Sequence, residues 1–321
     1  MTNTAESPPP ARVDIERRRA NTRSTQWRGA KAMFAEFDLL TPAAIGEALA
    51  ALAKVKSERD CVPLGGGTNL VVDMRARRSS HDALISVGQL PGMADIMLGG
   101  GRISMGGAVT VSQILRHPER RHFGGALIDA AHVFAGQMVR NTATVAGNIC
   151  CGSPAADLVP PLLALDAAVT LECSEGRRDV SLSDYFLGYK SSVRKPNELL
   201  TRITWPEPRS RSDSAFYKLA RRKGDAITVV GVAVALTVEE GKCARARIAL
   251  GAVAPVAKRA RRAEEMLEGR TLSAGVIEAA AQAAMDESSP IDDVRATAAY
   301  RKHQVRVLVR RLLTQAWQRL S

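Results

Sequence analysis

Apolar residues near the start of the chain recur at helical spacing. Ile45, Leu49 and Leu52 share one face of a predicted amphipathic helix over 42–54. Thr41-Pro42 before them matches an N-cap followed by proline at the first helical position. Short apolar runs elsewhere predict strands over 61–64, 83–87, 103–105 and 167–173.

Local start and stop signals divide this pattern into separate elements. Thr110 and Gln113 have the spacing of a capping box, and His117-Pro118 ends the helix that the box begins. Gly99-Gly100-Gly101 predicts a hairpin turn between two strands. Because helices and strands are interleaved, the first half of the chain is predicted to form α/β or α+β layers.

The last third of the chain has a different pattern. The polar, proline-containing segment 206–213 marks a domain boundary. Beyond it, two β-branched runs over 226–238 and 246–253 are separated by Glu239-Glu240-Gly241 and predict an antiparallel strand pair. Helices are predicted over 257–268, 274–286 and 296–319.

Length and charge narrow the classes of function. The 321 residues, 45% of them hydrophobic, suit about two globular domains. Eleven of the twelve excess positive charges lie in 1–31 and 295–321, and we predict 1–30 to be a disordered basic extension. Aromatic residues form only 4% of the chain and are not interleaved with the basic runs, so nucleic-acid binding is not expected. The apolar run 226–238 is too short for a membrane span, which needs ~18 residues.

The cysteines point to a reducing compartment. Their number is odd, two are adjacent, and no Cys-x-x-Cys pair is present, which is a poor pattern for disulfides or for a metal site. We therefore expect a cytoplasmic protein with reduced thiols and no metal ligands. The five cysteines are Cys61, Cys150, Cys151, Cys173 and Cys243.

Two loops of glycine and small polar residues are the candidates for ligand binding. Residues 64–70 read Leu-Gly-Gly-Gly-Thr-Asn-Leu, and residues 140–148 read Arg-Asn-Thr-Ala-Thr-Val-Ala-Gly-Asn. Glycines allow positive φ and leave backbone N–H groups uncovered, so such loops can bind phosphate groups. Neither loop has the Rossmann or P-loop pattern. Each loop alone also fits an ordinary tight turn.

Five segments in order resemble the FAD-binding subunit of the molybdenum hydroxylases, the family of xanthine dehydrogenase and carbon monoxide dehydrogenase. The segments are 64–70, 134–148 (Phe-Ala-Gly-Gln, then Arg-Asn-x-x-Thr-Val-x-Gly-Asn), 151–160 (Cys-Gly-Ser-Pro-Ala-Ala-Asp-Leu-Val-Pro), 216–225 (Phe-Tyr-Lys to Asp) and 293–301 (Asp-Val-Arg-Ala to Tyr-Arg). One departure is Ala146, which stands where the family has the first glycine of Thr-x-Gly-Gly-Asn and which requires a negative φ.

The resemblance implies an α+β chain with a two-lobed PCMH-type FAD-binding fold over 31–208. A small C-terminal domain of antiparallel strands plus helices would follow over 213–319. FAD would lie extended between the lobes, with its diphosphate on 65–69 and 144–148. Phe134 would pack on the isoalloxazine, Asp157 would lie on the ribose side, Leu199 or Leu200 would supply an apolar ring contact, and Lys218 would supply a polar one. The implied cofactor-binding residues are Leu64, Gly65, Gly66, Gly67, Thr68, Asn69, Leu70, Phe134, Thr144, Val145, Ala146, Gly147, Asn148, Asp157, Leu199, Leu200 and Lys218.

The implied function is that of an oxidoreductase component that is incomplete alone. A large molybdopterin subunit and a small subunit with [2Fe–2S] clusters would be its partners, in a dimer of heterotrimers. Electrons would pass from the clusters to the FAD of this chain and then to NAD or another acceptor. No residue of this chain is expected to act as a catalytic acid, base or nucleophile.

Two other interpretations stay open at this point. A free-standing PCMH-type flavin reductase, similar to the enolpyruvyl reductase of cell-wall synthesis, would share the Gly-Gly-Gly-x-Asn-Leu loop but lacks the motifs at 155–157 and 293–295. A non-catalytic scaffold that has lost FAD is favoured only by Ala146. Bound flavin, and turnover without partners, would separate the three interpretations.

Overall fold

Short helices alternate with strands through the computed structural model, which describes residues 36–321. The predicted extension 1–30 and the start of the FAD-binding domain at 31 lie outside these residues. The strands are β1 (Asp38–Leu40), β2 (Cys61–Leu64), β3 (Ala83–Ser86), β4 (Ile96–Gly99), β5 (Arg102–Gly106), β6 (Ala168–Cys173), β7 (Gly176–Ser181), β8 (Phe186–Gly188), β9 (Ser191–Ser192), β10 (Leu199–Pro206), β11 (Ser212–Ala220), β12 (Thr228–Glu239), β13 (Lys242–Gly251) and β14 (Lys258–Arg259). The helices are α1 (Ile45–Leu52), α2 (Leu70–Arg75), α3 (Val111–Arg116), α4 (Gly125–Val133), α5 (Gln137–Arg140), α6 (Val145–Cys150), α7 (Val159–Ala164), α8 (Leu182–Tyr185), α9 (Arg261–Glu265), α10 (Ala274–Asp286) and α11 (Ala298–Leu320).

The first lobe is a small parallel sheet in the order β1-β3-β2, packed against α1. Of the predicted apolar face, Leu52 is fully buried and Ile45 and Leu49 are partly buried against the same core, which Ala48 also enters. The predicted N-cap at Thr41 is wrong, because the helix begins at Ile45 and the Glu47 carboxylate accepts the N–H of Ala43 (2.9 Å). This bond ties the segment before the helix to its first turn, and the N-cap residue Ala44 makes no side-chain capping bond.

The second lobe is an antiparallel sheet in the order β4-β5-β10-β6-β7, covered by α3, α4, α6 and α7. Trp205 of β10 is fully buried and donates its indole N–H to the carbonyl of Phe123 (3.2 Å). The capping box is confirmed, since Thr110 and Gln113 exchange side-chain and backbone hydrogen bonds at the start of α3. The predicted hairpin turn at 99–101 is also confirmed, since β4 ends at Gly99 and β5 begins at Arg102.

The C-terminal part is an antiparallel sheet in the order β11-β12-β13-β14, with α10 and α11 on one face and α7 on the other. The pairing of β12 with β13 confirms the predicted strand pair. The helix predicted over 257–268 is confirmed only in part, because β14 pairs with β13 at its start and the helix itself is the short α9. The arrangement confirms the predicted α+β class. No helix within 36–321 is both long and apolar enough to cross a membrane.

One charged cluster joins the second lobe to the C-terminal sheet. Asp166, in the turn after α7, accepts hydrogen bonds from Arg245, Arg247 and Arg259. Arg259 also pairs with the buried carboxylate of Glu264. Because these charges are mutually compensated, the cluster fixes the position of β13 and β14 against the lobe that precedes them.

Candidate functional site

The first glycine loop connects the carboxyl end of β2 to α2. Gly67 has φ +68, in the left-handed region that glycine adopts without strain. Its carbonyl accepts the N–H of Val71 (3.1 Å), and the carbonyl of Asn69 accepts the N–H of Asp73 (2.9 Å). The carbonyl groups of this loop therefore support α2.

The N–H groups of this loop are free. Among the residues that the structure describes, none of the backbone N–H groups of 65–69 has a hydrogen-bond partner. Consecutive unpaired donors in a glycine loop form a concavity that binds an anion such as a diphosphate without a lysine.

The second loop leads into α6 and is capped by Thr144. The hydroxyl of Thr144 accepts the N–H of Gly147 (3.1 Å), and its carbonyl accepts the N–H of Asn148 (2.9 Å). The side-chain carbonyl of Asn148 accepts the N–H of Leu158 (3.1 Å), while its side-chain amide donors have no partner within the described chain. Asn148 can therefore donate to a ligand at this loop.

Two further amides of the second loop are also used internally. Val145 donates to the carbonyl of Val109 (2.9 Å), and Ala146 donates to the carbonyl of Gly107 (3.2 Å). The expectation that both loops offer free amides is thus wrong for the second loop, because helix capping and the segment 107–109 use its N–H groups. Ala146 lies inside α6 without a positive φ, so its methyl group causes no backbone strain.

The two loops meet, as predicted. A Cβ atom on Gly66 would lie 1.8 Å from the carbonyl oxygen of Thr142, and one on Gly65 would lie 2.7 Å from the hydroxyl of Thr144. Only bare backbone fits at this approach. The segments at 65–69 and 142–148, distant in sequence, therefore form one continuous surface.

A buried ion pair lies between the segment after α6 and strand β11. The Asp157 carboxylate contacts the Lys218 ammonium (2.7 Å) and also accepts the Thr228 hydroxyl. The Lys218 ammonium donates in addition to the carbonyl of Val133 (3.3 Å). Burial raises the pKa of Asp157, and the hydrogen bonds from Lys218 and Thr228 oppose that rise. Both carboxylate oxygens are engaged within the chain, and contact of Asp157 with a ribose stays a prediction.

Phe134 lies next to this ion pair and is buried. The Arg140 guanidinium donates to the carbonyls of Phe134 (2.9 Å) and Ala135 (2.8 Å) and holds this turn. A Cβ atom on Gly136 would lie 2.7 Å from a carboxylate oxygen of Asp225. The turn 134–136 and the loop after β11 therefore lie next to each other. They belong to two of the sequence segments, 134–148 and 216–225, that resemble the family.

Leu199 and Leu200 begin β10, and both are buried. Leu199 packs in the core of the first lobe and Leu200 in that of the second, so their position lies where the lobes join. Sequence reasoning missed the preceding Glu198, which is buried and paired with Arg178 (2.7 Å). Burial raises the pKa of Glu198, but hydrogen bonds from Arg178 and the N–H of Lys195 bring it below its usual range. The signal in the sequence that could have indicated this residue is an acidic side chain directly before the apolar start of β10.

The C-terminal signature is organised around Asp293. Its carboxylate accepts the N–H groups of Arg295 (2.8 Å) and Ala296 (3.2 Å) and pairs with Arg301 (2.5 Å). Arg301 is buried and donates to the carbonyl of Ala252 just beyond β13 (2.9 Å). Burial raises the pKa of Asp293, but these donors lower it to about 2. The signature thus anchors the segment before α11 to the C-terminal sheet.

We expect Asp293→Asn to lower the free energy of unfolding at neutral pH by about 2 kcal/mol, since it removes a carboxylate that the folded state holds ionised. A lowered pKa stabilises the folded state above the unfolded-state value of about 4, and this stabilisation is lost as the pH falls toward about 2. The difference between wild type and variant should therefore shrink with acidification in urea unfolding. Asp82→Asn, an exposed carboxylate without an ion pair within 36–321, is the control. A pH-independent difference would contradict the ionic contribution.

Comparison with known proteins places this geometry in a family. The family model described as the FAD binding domain in molybdopterin dehydrogenase matches residues 35–208, and that of the CO dehydrogenase flavoprotein C-terminal domain matches 215–316. The chain belongs to the FAD-binding subunits of the molybdenum hydroxylases. This flavoprotein subunit is 31% identical over 281 residues to the nicotinate dehydrogenase FAD-subunit of Eubacterium barkeri, covering 86% of this chain and 95% of that one.

Relatives of this flavoprotein subunit have the same fold. It is 31% identical over 285 residues to the carbon monoxide dehydrogenase medium chain of Hydrogenophaga pseudoflava, covering 89% of this chain and 98% of that one. A solved structure of carbon monoxide dehydrogenase from that organism superimposes with a TM-score of 0.86, covering 90% of this chain and 99% of that chain. Quinoline 2-oxidoreductase from Pseudomonas putida 86 superimposes with a TM-score of 0.82 at 27% identity, covering 89% and 98%. The predicted family and the predicted oxidoreductase class are confirmed.

The residues of this flavoprotein subunit fit FAD. The backbone N–H groups of 65–69, which have no partner among the described residues, suit a diphosphate. Because Gly66 has no side chain, the two loops approach closely enough to form one surface. Bound FAD would supply the redox chemistry, and these residues are the ones that would hold it.

Proposed function

We propose that this chain is the electron-transfer subunit of a multi-subunit molybdenum hydroxylase. Its FAD takes electrons from [2Fe–2S] clusters of a small partner subunit and passes them to NAD or another acceptor. The observation that supports this most is the junction of the two loops with the unpaired N–H groups of 65–69. The relatives named as FAD subunits and medium chains of dehydrogenases support the same role.

In this proposal, each part of the site has one task. The loop 65–69 binds the diphosphate, and Thr144 and Asn148 orient it from the opposite side. Phe134 packs on the isoalloxazine. Lys218, whose position is fixed by its buried ion pair with Asp157, supplies a polar contact to the flavin. The remaining proposed contacts are Leu64, Leu70, Val145, Ala146, Gly147, Asp157, Leu199 and Leu200.

The assembly is proposed as a dimer of heterotrimers in the cytoplasm, with a large molybdopterin subunit that binds the hydroxylated substrate. The proposed division of this chain is an FAD-binding domain over 31–208 and a C-terminal domain over 213–319. The Asp166 cluster supports a fixed contact between them, because it crosses from one to the other.

The test is to purify the full chain and measure its flavin and its reduction by NADH. We expect equimolar bound FAD, anaerobic bleaching of the flavin absorbance by NADH, and no hydroxylation without partners. A colourless chain that takes up no FAD would support the scaffold. Oxidoreductase turnover of an enolpyruvyl substrate by the chain alone would support the free-standing reductase. A yellow chain that NADH does not bleach would leave the subunit role in place and exclude NAD as the acceptor.

A further inference from the structure

The hairpin of β8 and β9 is anchored in the second lobe. Phe186 and Val193, near its two ends, pack against the core of that lobe. The N–H of Val193 donates to the carbonyl of Tyr185, which is fully buried (2.9 Å). We call residues 186–195 the strap. Its base is therefore fixed to the second lobe, and its tip is the turn that contains Lys190.

The tip of the strap contacts the segment that follows each of the two loops. The Lys190 ammonium pairs with the carboxylate of Asp73 in α2 (3.4 Å), four residues beyond Asn69. The backbone N–H of Lys190 donates to the carbonyl of Gly152 (3.2 Å), four residues beyond Asn148. Because α2 packs on the sheet of the first lobe, the Asp73–Lys190 ion pair joins the two lobes, and we call it the latch.

The backbone of the strap approaches the turn after α6 closely. Gly152 has φ +59, and a Cβ atom there would lie 2.8 Å from the Cα atom of Lys190. Lys190 itself has φ +52, in the left-handed region that a residue with a side chain adopts where its surroundings hold it there. These contacts keep the tip in one backbone conformation beside α6.

Asp73 also connects the latch to the first loop. The carboxylate oxygen that meets Lys190 accepts the side-chain amide of Asn69 as well (3.4 Å). The other oxygen pairs with Arg78 (3.5 Å), which follows α2 in the same lobe. A cation of the second lobe, a carboxylate of the first lobe and a loop residue thus form a chain of contacts that ends at the proposed diphosphate site.

A second ion pair joins the base of the strap to the first lobe. Arg194 donates to the carbonyl of Glu198 just before β10 (3.0 Å) and pairs with the carboxylate of Glu58. The carbonyl of Glu58 accepts the ring N–H of His81 (2.6 Å), shortly before β3, so Glu58 belongs to the first lobe. The strap is therefore tied to the first lobe at its tip and at its base.

We propose that Asp73 and Lys190 are positioning residues whose ion pair holds the two lobes closed on the diphosphate of FAD and slows its release, an inference that rests on the proposed function. The two loops already meet at Gly66, and the latch joins the same two loop–helix units a second time, four residues beyond each loop. A diphosphate held between these units leaves only when they separate, and the latch opposes that separation.

The exposure of the latch sets the size of its effect. The side chain of Lys190 is 47% exposed and that of Asp73 is 15% exposed. Ion pairs with one half-exposed partner contribute modestly and are screened by salt. The latch is therefore expected to open and close readily, and its effect belongs in the rate of FAD release at low salt.

The test follows FAD release from the full chain. The loaded chain is diluted, and the rise of flavin fluorescence gives the dissociation rate constant. Lys190→Met removes the ammonium group, Asp73→Asn removes the charge and keeps an oxygen for the Asn69 amide, and the double variant completes the cycle. Arg78→Met is the matched control, because it changes the net charge equally and removes a cation from the same carboxylate without crossing between the lobes.

We expect Lys190→Met and Asp73→Asn each to release FAD about threefold faster than wild type at low salt, and the double variant to be no faster than either. Arg78→Met and Lys190→Arg should behave as wild type, and high salt should remove the difference between wild type and Lys190→Met. In the flavin-free chain, Lys190→Met should also speed hydrogen exchange at the amide of residue 190, which bonds to Gly152.

Three results would overturn the latch. The first is release of FAD from Lys190→Met at the wild-type rate. The second is additive effects of the two substitutions, since these would assign Lys190 a contact with FAD that is independent of Asp73. The third is equal acceleration by Arg78→Met. A wild-type chain that binds no FAD would instead contradict the proposed function, and hydrogen exchange in the flavin-free chain would still test the latch.

Discussion

Replacing Gly66 by alanine is expected to abolish tight FAD binding. The new Cβ atom would lie 1.8 Å from the carbonyl oxygen of Thr142 and 3.0 Å from the backbone nitrogen of Ala143. Both neighbours are backbone, so one loop must move away from the other. That displacement takes the N–H groups of 65–69 away from the diphosphate, and we expect the affinity for FAD to fall by a factor of about 100 or more, equivalent to about 3 kcal/mol.

The measurement is a titration of the flavin-free chain with FAD, in which the quenching of flavin fluorescence reports binding. Circular dichroism confirms that each variant is folded. Gly88→Ala is the matched control, because Gly88 follows the neighbouring strand β3, has no positive φ, and would place its Cβ atom in open space. Equal affinities in the two folded variants would exclude the first loop as the diphosphate site.

Local signals in the sequence were sufficient for the elements that frame this loop. The apolar run before the glycines gave β2, and the Thr110–Gln113 spacing gave the capped start of α3. These features depend on neighbours within a few residues, which sequence patterns record well. The approach of Gly66 to Thr142 depends on two lobes, and only the resemblance to a family pointed to it before the structure did.

Predictions failed where a distant partner overruled a local preference. The helix expected over 257–268 is replaced in part by β14, because β13 offers an unpaired edge beside it. In the second glycine loop, the amides of Val145 and Ala146 bond to carbonyls of the segment 107–109. Neither partner is visible in the local sequence, so periodicity and glycine content gave no warning.

Asp157 shows what a sequence motif leaves out for a single residue, although its contact with the cofactor stays a prediction. Its sequence position, just beyond the second loop, predicted a contact with the cofactor. In the structure its carboxylate is held by Lys218 and Thr228, which lie 61 and 71 residues further along the chain. A resemblance transfers the position of a residue in a motif, whereas the partners that set its charge state come from the tertiary fold.

The second large effect is expected from Lys218→Met, which removes the ammonium group and keeps the length of the side chain. Asp157 would then be left in a buried position with only the Thr228 hydroxyl to compensate its charge. Removing one partner of a buried ion pair costs about 3–5 kcal/mol, and we expect a loss of that size in the free energy of unfolding at neutral pH. Lys242→Met, at an exposed lysine outside any ion pair of the described chain, should change it little.

The pH dependence of this loss has a defined sign. Burial already raises the pKa of Asp157, and removal of Lys218 raises it further, so the folded variant holds a proton that the unfolded chain releases near pH ~4. The stability of the variant should therefore fall as the pH rises through that value, and the difference from wild type should be smallest in acid. Adding Asp157→Asn should remove the pH dependence. A loss that is the same at all pH values would indicate lost packing of the lysine side chain instead of an unpaired carboxylate.

The same variants separate two roles for Lys218 in the flavin site. If Lys218 contacts the flavin directly, Lys218→Met should weaken FAD binding even in mild acid, where the variant is folded and Asp157 is protonated. If Lys218 acts only by neutralising Asp157, FAD affinity should recover there and also in the double variant with Asp157→Asn. The Lys218 ammonium also donates to the carbonyl of Val133, the residue before Phe134. A lasting loss of affinity in the double variant would therefore assign Lys218 to the ring environment and not to the ion pair alone.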